Sequence, residues 1–215
     1  MNAMSNPFST RYTGLGRIPY LGVEAEQWSA WLDEWSSQGR VFQVVGQHGS
    51  GKSTLALDLA FRLAERLEAS SGQRPWIRHQ VVGTGAVRSR LLSSRLEDDW
   101  GRLPSHGRAG ICVVDGLERL SWFQRCAVVR HHRRRGWPLL VTSHRALAGI
   151  PVLTRTTTRA EDLDRLVRHL AGTWDTGWNA NGSQQLFDRH AGNLRECLME
   201  LYDRFAQRPI AVKYR

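Results

Sequence analysis

Residues 46–54 read Gly46-Gln47-His48-Gly49-Ser50-Gly51-Lys52-Ser53-Thr54 and satisfy the pattern G-x-x-x-x-G-K-[ST]. The pattern limits the fold because it works only between a strand that delivers the chain and a helix that leaves it. Glycines let the backbone turn with positive φ and come close to an anion. Successive N–H groups and the N-terminus of the following helix then face that anion with partial positive charge. Lys52 is expected to reach the β- and γ-phosphates as a mobile point charge, and the Ser53 hydroxyl to enter a magnesium shell. The expected ligand is ATP, or with less support GTP, together with Mg2+, held by the whole run from Gly46 to Thr54.

The flanks agree with this reading. Arg40 to Val45, RVFQVV, is a short β-branched and aromatic run, and TLALDLAFRLAERLEA after the motif is rich in strong helix formers with Leu and Ala recurring at three and four. Composition sharpens the case for Lys52. Of 30 basic residues in 215, 28 are arginine, and the lysines are Lys52 and Lys213. Where arginine fills nearly every basic position, a lysine inside the phosphate motif is chemically required. The formal charge of +10 leaves a nucleic-acid or protein partner open, without a motif for either.

No window of eighteen uncharged apolar residues occurs, and the N-terminal MNAMSNPFSTRYTG lacks the pattern of a secretory signal, so a cytoplasmic protein without membrane association is expected. Cys112, Cys126 and Cys197 are odd in number and set among apolar residues. They read as three buried thiols rather than a disulfide or zinc framework.

The rest of the chain alternates strands and helices. Residues 1–23 read as an extended arm. From Glu24 to Ser37, Trp28, Trp31, Leu32 and Trp35 form one helical stripe, expected to pin that helix to a core. Strands are expected at Trp76 to Val82, Ile111 to Val114, Pro138 to Thr142 and Pro151 to Thr157. A helix carrying Val87, Leu91, Leu92, Leu96 and Trp100 is expected after Gly83 and Gly85, and one of roughly fifteen residues before Pro138. Such alternation predicts an α/β, three-layer P-loop fold with a mainly parallel five-stranded sheet over residues 24–158. Residues 159–215 are expected to form a small helical extension, with helices at Glu161 to Ala171 and Asn193 to Phe205 and a tryptophan-rich stretch, Trp174 to Trp178, between them.

Asp115 ends the apolar run ICVVD and has the setting of a Walker B carboxylate, which holds magnesium at the carboxyl end of a neighbouring strand. An aspartate capping the next helix is the other reading. Hydrolysis also needs a group that orients or deprotonates water. Gly116 follows Asp115 directly, and Glu118 is the nearest carboxylate.

The Walker A motif, VVDGLERL at Val113 to Leu120 and PLLVTSHR at Pro138 to Arg145 together resemble the additional-strand P-loop ATPases, the superclass that includes AAA+ and STAND/NACHT ATPases. The resemblance covers about Val41 to Thr157. It implies that Asp115-Gly116-Leu117 is similar to the NACHT Walker B core and that Glu118 stands where that family has a further acid. It also implies that Thr142 and Ser143 act as a sensor of the γ-phosphate and attacking water. Gly192-Asn193-Leu194-Arg195-Glu196 resembles a sensor 2 segment, which implies Arg195 near the γ-phosphate. The usual glutamate after the Walker B aspartate is displaced here, and the span from Ser143 to the fifth strand is shorter than in ordinary AAA+ proteins.

Arg130, His131, His132, Arg133, Arg134 and Arg135 form a dense basic run. It reads as a solvated helix end, with an arginine finger or a phosphate-backbone contact as sharper options. The expectation is therefore an Mg-dependent ATPase using Lys52, Ser53, Asp115, Glu118, Thr142 and Ser143. The alternatives are a slow or non-hydrolysing nucleotide-gated module and, with less support, a small-molecule kinase. Oligomeric state is open, nucleotide-dependent self-association included.

Overall fold

The structure, a computed structural model, describes residues 6–37, 41–83, 87–91, 110–171 and 178–207. They divide into two compact units, one of residues 23–47 and 51–156, the other of residues 1–22, 48–50 and 157–215.

The first unit is α/β. Its sheet contains β1 (Val41–Gly46), β2 (Trp76–Val82), β3 (Val87–Leu91), β4 (Gly110–Asp115), β5 (Leu139–Ser143) and β6 (Val152–Thr156), in the order β3-β2-β4-β5-β1-β6. Five of these strands run parallel, and β3 pairs antiparallel with β2 at the edge. Buried residues run almost unbroken along β1, β4 and β5, as expected of strands covered on both faces. The register aligns Val45 with Ser143 and Thr142 with Asp115, so β1, β5 and β4 end together at one carboxyl edge.

Helices cover the sheet. α3 (Lys52–Ser71) leaves the β1 loop and buries Leu55, Leu59 and Leu63 at the three-and-four spacing expected of a helix with one apolar face. Beside it lies α2 (Ala25–Ser37), in which Trp28, Leu32 and Trp35 of the predicted stripe are buried while Trp31 is half-buried, edge-on to Trp28. The opposite side of the sheet presents Val41, Cys112, Val114, Leu139 and Val141, against which pack Val128 and Val129 of α4 (Trp122–Arg135) and Trp137. Together they make a three-layer arrangement.

In the second unit α5 (Ala160–Ala171), α6 (Ala180–Arg189) and α7 (Leu194–Ala206) enclose a core of Leu163, Val167, Leu186, Cys197 and Leu201. Residues 6–22, expected to be extended, contain the helical turn α1 (Thr10–Thr13) and belong to this unit. Phe8 is buried in the helical core, edge-on to Phe205, because its large aromatic ring gains more by covering that core than by staying in water.

Three further expectations change. The helix predicted to carry Val87 and Leu91 is the strand β3 at those positions; residues four apart fit a helix face and a strand face equally, and antiparallel pairing with the edge of β2 decides for the strand. Leu92, Leu96 and Trp100 lie outside the described residues, as does Trp174. α6 was not expected, since its ANGSQQ start is polar; Asn179 caps it by accepting from the Gly182 N–H at 2.8 Å. Cys112 and Cys197 are buried but Cys126 is exposed. Among the described residues no helix is long and apolar enough to cross a membrane.

Candidate functional site

The loop after β1 turns through Gly49 and Gly51, with φ of 70° and 79°, and Gly51 is the N-cap of α3. Gly51 brings no capping side chain to the first N–H groups of α3, the groups that a helix N-terminus can offer to an anion. Gly46 and Gly49 are half-buried, Gln47 and His48 exposed, Ser50 buried and Thr54 half-buried. A Cβ at Gly49 would fall 1.8 Å from Asn193 Oδ1, so the backbone passes too close for any other residue.

Lys52 is only 8% exposed, a rare condition for a lysine. Its Nζ donates to the Gln47 carbonyl at 2.5 Å and lies 3.5 Å from His144 Nδ1. Burial lowers the proton affinity of the amine, against the opposing pull of Asp115 and Glu118. A cation held in this way gains by meeting an anion.

Asp115, at the end of β4, collects three side chains from three other elements. Its Oδ1 accepts from Ser53 Oγ of α3 at 2.8 Å and from Thr142 Oγ1 of β5. Its Oδ2 lies 3.0 Å from Nε2 of His79 on β2. Burial disfavours the carboxylate, but the bonds from His79, Thr142 and Ser53 together outweigh it and hold the carboxyl below its ordinary range. The group is therefore an anion, and it does not cap the next helix; Ser121 caps α4 instead.

Gly116 follows with φ 76°, and a Cβ there would stand 3.3 Å from the Val82 carbonyl. That tight turn leads into a single 3-10 turn, Leu117–Arg119, which carries Glu118. Glu118 Oε1 lies 3.5 Å from His144 Nε2, and its buried Oε2 has no hydrogen-bond partner among the described residues. A buried carboxylate oxygen without a donor calls for one, such as a water molecule. The imidazole of His144 thus spans two features, its Nδ1 3.2 Å from the Gly46 carbonyl and its Nε2 beside Glu118.

The two polar residues at the end of β5 part company. Thr142 joins Asp115, whereas Ser143, one residue on, points to the other face of the sheet and donates to Gln43 Oε1 at 3.2 Å. Gln43 is fully buried, with its Nε2 donating to the Leu147 and Ile150 carbonyls and its Oε1 also accepting from the Leu147 N–H. Ser143 therefore helps to anchor the segment after His144 and does not reach the acid cluster. Arg195 has an exposed side chain in the first turn of α7 and belongs to the other compact unit from Lys52 and Asp115.

Lys52, Ser53, Asp115, Glu118 and Thr142 thus share one neighbourhood. His79 and His144 join it unannounced by the sequence, although His79 lies on the same alternation of β2 as the buried Ile77, and His144 directly follows the polar end of β5. Among the described residues no group of three or more His, Cys, Asp and Glu side chains could enclose a metal. The pair Ser53 and Asp115 does fit magnesium, a hard cation that takes one or two protein oxygens and completes its shell with water and phosphate.

Comparison with protein-family models and with curated proteins gives no match to this chain.

Proposed function

We propose that this chain binds ATP with Mg2+ on the loop Gly46 to Thr54 and hydrolyses its β-γ phosphoanhydride, as a P-loop ATPase of the additional-strand class. The observation that carries the reading is the 2.8 Å bond from Ser53 to Asp115, which ties the start of the loop helix to the end of β4. Strand order supports it, since β5 lies between β1 and β4 and brings Thr142 to the same carboxylate.

Lys52 gives up the Gln47 carbonyl for phosphate oxygens, and the loop N–H groups receive the rest of that charge. Ser53 and Asp115 hold the cation, which when bound neutralises charge on the β- and γ-phosphates. Thr142 keeps Asp115 ionised and aimed. Glu118, through its unpartnered Oε2, accepts a hydrogen bond from the attacking water, and His144 steadies the other carboxylate oxygen.

The test is turnover of ATP and GTP by the purified protein with magnesium, beside Lys52→Ala and Glu118→Gln. Wild-type hydrolysis lost in both variants is the expected result. Unchanged nucleotide affinity and turnover in Lys52→Ala would overturn the reading. Gly116, directly after Asp115, favours a second reading, a nucleotide-gated module; tight ATP binding without turnover in wild type would select it.

A further inference from the structure

The sequence of α4 begins with two aromatics and ends in arginines, with no acid among its fourteen residues. In the structure Trp122 is 65% exposed and Phe123 78%, the largest exposures among the described large apolar side chains. Their rings stack edge to face, with centroids 5.1 Å apart. The pair does not dangle. Ser121 and Gln124 close a reciprocal capping box beneath it, and Arg125 fixes the preceding turn by donating to the Leu120 carbonyl at 2.7 Å and the Glu118 carbonyl at 2.9 Å.

Helical spacing carries the face of Phe123, with the Trp122 ring at its side, on to Arg130 and Arg134, both exposed. From Phe123 to Arg134 the face runs about 16 Å along the axis at the rise of an α-helix. A helix end favours cations only within its last turn, which accounts for Arg133 to Arg135 but not for Arg130 or the aromatic pair. An apolar pair left in water, on a helix whose Arg130 and Arg134 pair with no acid among the described residues, fits a ligand that offers flat π-faces and negative charge together. Unpaired nucleotides offer both, whereas a duplex hides its π-faces inside the stack.

We propose that the outer face of α4 is a binding surface for single-stranded nucleic acid, with Trp122 and Phe123 stacking on bases and Arg130 and Arg134 on phosphates. Because Arg125 joins the same helix to the backbone of Glu118, an occupied α4 also touches the segment that bears the acid. Binding itself does not depend on the nucleotide reading.

The experiment measures fluorescence anisotropy of a labelled oligo-dT of about twenty nucleotides, long enough to cover such a face. Nucleotide is omitted, and the protein is wild type, Lys52→Ala, Trp122→Ala, Phe123→Ala and the double variant Arg130→Glu/Arg134→Glu. Each aromatic variant should weaken binding by about five- to a hundred-fold, the worth of one stacked base. The arginine pair should flatten the dependence of affinity on salt by about two phosphate contacts. Cys126 provides a local readout that needs no substitution, since it is exposed on α4 while Cys112 and Cys197 are buried. Saturating oligo-dT should slow its alkylation by a maleimide.

Equal binding by wild type and both aromatic variants, or Cys126 alkylation unchanged at saturation, would overturn the proposal. So would a duplex that binds as tightly as oligo-dT, which reduces the surface to phosphate contacts. Capture of poly-glutamate but not oligo-dT would replace nucleic acid with an acidic protein. Lys52→Ala that loses ATP yet keeps oligo-dT separates failure of one site from failure of the other.

Discussion

His79 Nε2 sits 3.0 Å from Asp115 Oδ2, the one carboxylate oxygen that Ser53 and Thr142 leave uncovered. With donors on both oxygens the carboxylate is held ionised in spite of its burial. A carboxyl whose folded pKa lies below its unfolded value, ordinarily about 3.9, stabilises the fold at higher pH. That contribution is lost as pH falls through the folded pKa. Urea unfolding of the metal-free protein should therefore show an acid limb beginning near about pH 4, shallower in Asp115→Asn. An identical limb in that variant would contradict the assigned network.

Thr142 and Ser143 are neighbours with different work, so their variants should separate. Thr142→Val keeps shape but removes a donor to Asp115, and should lower ATP turnover about tenfold or more with little change in stability. Ser143→Ala removes a donor to Gln43 and should cost about 1 kcal/mol of stability while turnover persists. Steady-state kinetics and denaturation of the two proteins check the split.

Gln43 is the side chain on which the segment after β5 depends. Gln43→Met fills similar space but strands the Ile150 carbonyl, the Leu147 N–H and the Ser143 hydroxyl, and leaves the Leu147 carbonyl only its 3.4 Å bond from the Ile150 N–H. The expected loss is about 2–4 kcal/mol, seen as a lower urea midpoint at unchanged slope.

His132 is buried on α4 and is pushed down to about 4, first by burial and then by His131 and Arg78. The unfolded chain takes up this proton near its ordinary value of about 6.5, whereas the folded chain resists it. Stability is thus complete above about pH 6.5 and falls between there and about pH 4, by about 1–3 kcal/mol. His132→Phe, read by urea unfolding across that window, should flatten the fall.

Much of the glycine loop was legible because its information is local. The spacing of Gly46, Gly51, Lys52 and Ser53 between an apolar run and a leucine-rich run specifies strand, turn and helix within about thirty residues. Asp115 was legible for a related reason, an apolar strand ending abruptly in an acid. β3 was not, because Val87 and Leu91 satisfy both periods, and only the neighbouring edge of β2 decides between them. The burial of Phe8 among the C-terminal helices joins residues nearly two hundred positions apart, which no local pattern encodes.

The sequence by itself determined where the glycine loop lies, which residue types it presents and that strands alternate with helices around it. Tertiary structure alone decided that Thr142 meets Asp115 while Ser143 turns away to Gln43, and that His79 and His144 stand beside the acids. The physical reason is the parallel sheet. Alternation assigns each side chain a face, but only strand order and register determine which distant residue shares that face, and both follow from packing the whole unit at once.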